Sequence, residues 1–313
     1  MSNFLSHLGW RLLQGVGVMF GAAALTFVAA RMVPGDPAQA IAGGPEASPT
    51  PEVLAQIRAE YALDAPLVTQ FIQYVTKFLS GDLGMSYRLN IPVRDAIIEQ
   101  AWPTLALASS AALIAVGLSV ILALATAGRN PVIRAVSSAI ELTFASMPTF
   151  WLGLLLLTIF SYKLGWLPAI SRTHPLALVL PALTLALPLA GSMTQVLRQA
   201  LEEGLDQPFV LSARARGLGD WSIRTGHVLR HALPPYLTMA GYLVGSLLGG
   251  TVITEMLFNR QGIGKLLLHA VLGQDLPVVM GVVLLAALVF VTINLIVDLL
   301  HPLIDPRLRS FAQ

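Results

Sequence analysis

Long apolar runs alternate with short polar ones along this chain. Six of the apolar runs stay uncharged for long enough to cross a bilayer: residues 12–30, 102–127, 142–162, 175–197, 232–254 and 276–297. Crossing about 30 Å of hydrocarbon takes roughly 20 helical residues. A spanning segment must also satisfy its own backbone, because lipid offers it no water. The pattern therefore predicts an all-α, polytopic integral membrane protein with six transmembrane helices. The first run is longer than the core of a cleaved leader, and "RMVPGDP" follows it without an A-x-A-like site. An uncleaved anchoring helix is expected there.

Residues 32–101 break the rhythm. "VPGDPAQAIAGGPEASPTPE" opens the segment; Val53, Leu54, Ile57 and Tyr61, then Phe71, Ile72, Val75 and Phe78, recur at helical spacing. Thr50 is placed to cap a helix whose first residue is Pro51. The predicted organisation is residues 1–33 as the N-terminus and first transmembrane helix, and 34–101 as a helical extracytoplasmic subdomain. A five-helix transmembrane core follows at 102–303, with a cytoplasmic loop at about 198–232, and then a cytoplasmic tail at 304–313. Eight acidic residues against four basic ones in 32–101 fit a solvated surface or a docking platform for an external partner.

Composition agrees with a membrane protein. Of 313 residues 55% are hydrophobic and 12% charged, with a mean hydropathy of +0.72; soluble domains carry about 25% charged residues. A net charge of +2 gives no footprint for nucleic acid. With no cysteine, disulfides, thiolate metal sites and cysteine nucleophiles are excluded. One side collects Arg11, Arg129, Arg134, Arg198, Arg214, Arg216, Arg224, Arg230, Arg307 and Arg309, against Lys163, Arg172, Arg260 and Lys265 on the other. The positive-inside rule then places both termini in the cytoplasm. Arg31 ends the first span on the outer side and can snorkel to the interface.

Prolines 175, 181, 188, 234 and 235 fall in or beside spans, where freed carbonyls need neighbouring helices or cavity water. Gly241, Gly245 and Gly249 repeat at the spacing that lets membrane helices approach closely.

Between the fourth and fifth spans lies "SARARGLGDWSIRTGHVLRHALPP", residues 212–235. Asp206 is expected to cap a helix from Gln207 that stops at Gly217, and Asp220 to cap a second, Trp221 to Ala232, ended by Pro234. Two short helices with a mixed basic and apolar surface fit a groove on another protein, or an anionic lipid surface.

These residues resemble the cytoplasmic coupling loop of ABC importer permeases, whose pattern is Glu-Ala-Ala, three residues, Gly, nine residues, Ile-x-Leu-Pro. Ala213, Gly217 and Leu229 match it. Leu211, Ser212, His227 and Arg230 depart from it in a way similar to the dipeptide, oligopeptide and nickel branch, which reads A-R-A-x-G and H-x-L-R-N-A; His231 replaces the Asn. "VPGDPA", "YALDAPLVTQ", "GDLGMSY", "PTLALA", "SMPTFWLGLLL", "WLPA", "LPALTLAL", "GIGKLLLHAV", "DLPVVMG" and "NLIVDLLHPLIDPRLR" extend the likeness over nearly the whole chain. Arg260-Gln261 stand where Trp-Pro is frequent. The resemblance implies a permease subunit working with a homologous second permease, two ATP-binding subunits, an extracytoplasmic substrate-binding protein and membrane lipid. ATP and Mg are used by partner subunits, and no cofactor is bound directly by this chain. It also implies an ATPase-coupling loop carried by Ala213, Arg214, Arg216, Gly217, Leu218, Gly219, Asp220, Trp221, His227, Leu229 and Arg230. In it Gly217 allows a sharp turn, Arg214 and Arg216 pair with carboxylates, and Trp221 is an apolar anchor.

Other chemistry is weakly supported. His227 and His231 have metal-ligand spacing but no third ligand nearby. "GIGK" lacks the first glycine and the final hydroxyl of a phosphate-binding loop, and no G-x-S-x-G elbow occurs. Glu141, Glu255 and Asp298 fall near span ends, where solvation is expected, so a proton-coupled carrier loses support. Asn294, Gln195, Thr184 and Ser246 line a polar path or bond neighbouring helices. The expectation is a peptide importer permease, with a nickel or metal-chelate permease as the alternative and an ion-coupled carrier behind both.

Overall fold

A computed structural model describes residues 2–32, 35–43, 48–169 and 174–304. Arg172, Arg307 and Arg309 lie outside them, as does the predicted tail after residue 304. Among the described residues every regular element is helical; the only extended pairing is an isolated bridge between Met85 and Pro92. In chain order the α-helices are α1 (Ser2–Met32), α2 (Pro37–Ile41), α3 (Pro51–Glu60), α4 (Leu67–Leu79), α5 (Val93–Thr126), α6 (Pro131–Ser146) and α7 (Thr149–Leu156). After them come α8 (Val179–Leu205), α9 (Pro208–Ala215), α10 (Asp220–Ile223), α11 (Leu229–Gly245), α12 (Leu247–Leu257), α13 (Ile263–Leu272) and α14 (Leu276–Ile304). Wide π turns occupy Leu157–Lys163 and Arg224–Val228, and a 3-10 turn Pro175–Leu178 leads into α8.

Among the described residues four helices are long and apolar enough to span a membrane by themselves, and the number is six if each of two bent pairs counts as one span. The first bent pair corrects the expected single span at 142–162. The helix starts at Pro131 and breaks at Met147-Pro148, and Thr149–Lys163 departs at 106°. Pro148 supplies no N–H, and its ring drives Met147 out of the helical region, to φ −72° and ψ 131°. The second pair, Asp220–Gly245 with Leu247–Leu257, bends by 46°.

Proline acts differently in α11. Pro234 was expected to end the helix, yet Pro234 and Pro235 both lie inside it. The π turn at Arg224–Val228 lies just ahead, and local π adjustment is one way a membrane helix accommodates the lost N–H groups.

The chain packs as two compact units. One comprises Met1–Arg11, Leu105–Arg260 and Phe290–Gln313. Its centre is α8, whose buried residues include Leu185, Met193, Leu197 and Leu201, against α6, α7, α11 and α12. A β-carbon on Gly191 would sit 2.5 Å from the Glu141 carbonyl oxygen, so α6 meets α8 backbone to backbone. Of the repeated glycines, Gly241 and Gly245 face Val297 and Phe290 of α14, while nothing lies close to Gly249.

The other unit comprises Leu12–Thr104 and Gln261–Val289. Val93, Ile97, Ile263, Ala270, Val278 and Val282 form its core. Thr50 and Pro51 start α3 as expected. Arg31 donates to Gln70 of α4 rather than only reaching water. The buried Asp275 carboxylate accepts from the Ser86 hydroxyl and from the amides of Tyr87 at 3.1 Å and Arg88 at 3.2 Å.

Candidate functional site: the hairpin between α8 and α11

The basic stretch folds as a helical hairpin within the first unit. Asp206 caps the C-terminus of α8, and Gln207, not Asp206, is the N-cap of α9, with Pro208 as the first helical residue. Proline at that position loses no hydrogen bond, which decides the start. At the far end the Leu218 amide donates to the Ala213 carbonyl at 3.2 Å and the Gly217 amide to Arg214 at 2.9 Å. That pair of bonds is a Schellman stop, and it needs a left-handed residue at Gly217, whose φ is +83°. Gly219 then caps α10 with extended backbone, and Asp220 is its first residue, where a carboxylate favours the helix dipole.

Buried apolar side chains hold the hairpin to the core. Val210, Ala213, Ile223, Val228 and Ala232 are all at most 2% exposed. Close approach makes this possible, since a β-carbon on Gly204 would lie 2.6 Å from Val228 Cγ1. Arg224 joins them: only 4% exposed, it donates from Nη1 to the Leu124 carbonyl at 3.2 Å, in the last turn of α5. A cation there meets the negative end of a helix. Sequence reading counted Arg224 only as a loop charge. Its position beside Ile223 and one turn before Val228 was the available signal.

The opposite face is open. Leu211 is 73% exposed and Trp221 60%. Arg214, Arg216, Gly217, Gly219, Asp220 and Arg230 are exposed beside them, while Leu218, His227 and Leu229 are half-buried. Arg214 reaches Asp220 at 3.5 Å in the open, so its guanidinium is only loosely engaged. Of the predicted loop residues, then, all but Ala213 and the three half-buried ones are exposed. Ala213 instead anchors the loop. His231 packs against the Phe209 ring, 5.0 Å between centroids.

The carboxylates near span ends required correction. Glu141 is 3% exposed and Glu255 fully buried, because α8 covers one and α12 packs the other inside. Arg198 neutralises Glu141 at 2.6 Å. Asp298 alone stays partly solvated, paired with Arg11 at 3.2 Å. Thr184, Ser246 and Asn294 bond carbonyls of their own helices, at Leu180, Leu243 and Phe290.

Apolar spans, two of them broken, and a basic hairpin anchored between α8 and α11 define a polytopic membrane protein. The chain belongs to the binding-protein-dependent transport system inner membrane components. That family's model matches residues 115–310, and the model for the N-terminal part of such components matches residues 4–108. It is therefore a multi-pass inner-membrane protein and an ABC importer permease. It is similar to a candidate peptide transport system permease of Brucella abortus (strain 2308), 37% identical over 96% of this chain and 97% of that one. The glutathione transport system permease protein GsiC of Salmonella choleraesuis (strain SC-B67) is 38% identical over 97% of this chain and 99% of the relative. In fold it resembles the MetNI methionine ABC transporter in an inward-facing conformation. That likeness has a TM-score of 0.53 and 21% identity, over 67% of this chain and 96% of the solved one.

Proposed function

We propose that this chain forms half of the translocation pathway of an ATP-driven importer for peptides. The observation that carries the substrate class is end-to-end similarity to relatives named for peptide and glutathione transport, at 37% and 38% identity. Glutathione is itself a small peptide, so the two names agree in chemistry.

In this reading a homologous second permease completes the pathway, and an extracytoplasmic binding protein delivers the peptide to the side that carries residues 34–101. ATP hydrolysis belongs to two separate subunits, which use ATP and Mg, and this chain carries none of that chemistry. Both termini and the hairpin face the cytoplasm. Trp221 and Leu211 enter a groove on an ATP-binding subunit, Arg214 and Arg216 meet its carboxylates, and the Gly217 turn aims them. Coupling is differential binding: the groove must favour one permease state over the other.

The test is ATPase activity in nanodiscs, with this chain co-expressed with candidate permease, ATP-binding and binding-protein partners. The binding protein is presented with a peptide library, with nickel, or with a nickel chelate. Stimulation by peptides alone is expected. Stimulation by metal would replace the substrate, and gradient-driven uptake by the chain alone would end the importer reading. Gly217→Val puts a β-branched residue at a left-handed position. It should abolish stimulation, and a fully stimulated, normally assembled variant would refute the joint.

A further inference from the structure

Two ion pairs of opposite sense tie α6 to α8. In the inner one Arg198 of α8 reaches Glu141 of α6 at 2.6 Å, with side-chain exposures of 8% and 2%. In the outer one Arg134 of α6 reaches Glu202 of α8 at 3.2 Å, with exposures of 50% and 25%. The inner guanidinium makes two further bonds: Nη1 also donates to the Ser137 hydroxyl at 3.2 Å and Nη2 to the Ser138 hydroxyl at 2.8 Å. Ser137 in turn donates to Glu141 at 2.5 Å.

The contacts run in antiparallel order. Glu141 lies against Gly191, Ser137 and Ser138 against Arg198, and Arg134 against Glu202. From Gly191 to Glu202 that is about 16 Å of helix at 1.5 Å per residue. One guanidinium gripping three side chains of one helix permits a single register, because a slide of one residue breaks all three bonds. Apolar packing alone tolerates such slides, and a buried polar contact that specifies register is the best-attested use of such pairs. Along the same seam an open groove of about 660 Å³ is lined by Ser138 and Leu142 of α6 and Gln195 and Arg198 of α8.

We propose that Glu141 and Arg198 are positioning residues for transport, which lock α6 and α8 into one lever between the hairpin and the bent pair α6–α7. At one end, Glu202 is three residues from the end of α8, and only Asp206 and Gln207 separate α8 from α9. At the other, α6 runs to Ser146 and the 106° bend. A displacement of the hairpin then swings α7 with α6, instead of being lost as slip between α6 and α8. This inference rests on the reading of the hairpin as the ATPase joint.

The experiment uses the reconstituted complex and compares native chain, Glu141→Gln, Gly217→Val and the exposed pair Arg134→Glu with and without Glu202→Arg. Peptide uptake per ATP hydrolysed is measured at equal assembled amounts. Glu141→Gln should lower that ratio about tenfold, within the range of ordinary coupling free energies. Arg134→Glu should lower it less, and the added Glu202→Arg should restore it. A native ratio in Glu141→Gln alongside a defective Gly217→Val overturns the lever and leaves the joint standing. The chain has no cysteine, so spin labels can be placed at Val132→Cys and Glu203→Cys alone. Whatever Gly217→Val shows, that α6–α8 distance should be the same with and without trapped ATP in the native background and broaden in Glu141→Gln. A distance that changes on ATP trapping in the native background refutes the lever.

Discussion

Glu141 and Asp275 are both carboxylates withdrawn from water, 3% and 2% exposed, and they are stabilised in different ways. Glu141 is held by one opposite charge, Arg198, which also donates to two serines, and by the hydroxyl of one of them, Ser137. Asp275 is held by dipoles, two backbone amides and one hydroxyl, all from residues 86–88. The charge of Glu141 therefore depends on one distant residue, whereas the charge of Asp275 depends on the path of a loop. Arg88 steadies that loop by donating to the carbonyls of Gly273 and Gly43, both at 2.9 Å. A pinned loop can lose one donor and keep the others. A dry ion pair cannot lose either member.

The sharpest way to break the contrast is Arg198→Met. It leaves Glu141 buried without a counter-charge, and should cost about 3–5 kcal/mol of stability, read as a fall in thermal midpoint in detergent. Replacing both partners, Arg198→Met with Glu141→Leu, should recover most of that loss, since buried pairs often exchange for apolar ones at little cost. If the double variant is as unstable as the single one, charge is not what Glu141 contributes.

Asp275→Asn is expected to be milder, about 1–3 kcal/mol, because its amide presents donors to donors while one oxygen still accepts. The check is the same melting curve, together with proteolysis at residues 84–90. Arg134→Gln removes the solvated partner of Glu202 and should cost about 0–1 kcal/mol, diminishing in high salt. A loss equal to that of Arg198→Met would mean that exposure is no guide to these pairs.

The smallest effect at neutral pH concerns Tyr87. Burial pushes its phenol up to about 12, with Tyr61 and Asp275 adding to the shift. A raised folded value means that the neutral ring is favoured in the folded state. That stability is complete below the unfolded value near 10 and is lost as pH rises through about 12. An alkaline melting series of native chain against Tyr87→Phe should diverge only in that window.

Much of this architecture can be read directly from residue order. Uncharged runs mark each span, Pro51 and Pro208 mark helix starts, and Gly217 marks the turn of the hairpin. Other features escaped because they depend on distance. Arg198 and Glu141 are 57 residues apart, and both fall at run ends where solvent was the simplest expectation. Pro148 was visible, but the apolar run continued across it, and hydropathy carries no information about direction. Arg224 looked like its neighbours Arg214 and Arg216, and only the carbonyl at Leu124 distinguishes it. Asp206 and Asp220 each missed the cap by one residue, because Pro208 and the extended Gly219 set the first turns.

The π turn at Arg224–Val228 has a consequence for numbering as well as for shape. Such a turn accommodates one residue more than an α-helical turn, so it takes up an extra residue in the spiral of α11. Each residue advances an α-helix by about 100°. In a π turn each residue advances the spiral by less, so its five residues cover about the same rotation as four α-helical ones. Excising Gly226, which meets no neighbour, would let the turn relax to ordinary pitch and leave the later faces of α11 nearly where they are. Tyr236, whose hydroxyl meets Ser119 at 2.8 Å, would keep its inward direction. The same deletion in the regular part of the helix would turn every later residue by about 100°, so homologous chains one residue shorter should be aligned with the gap at this point.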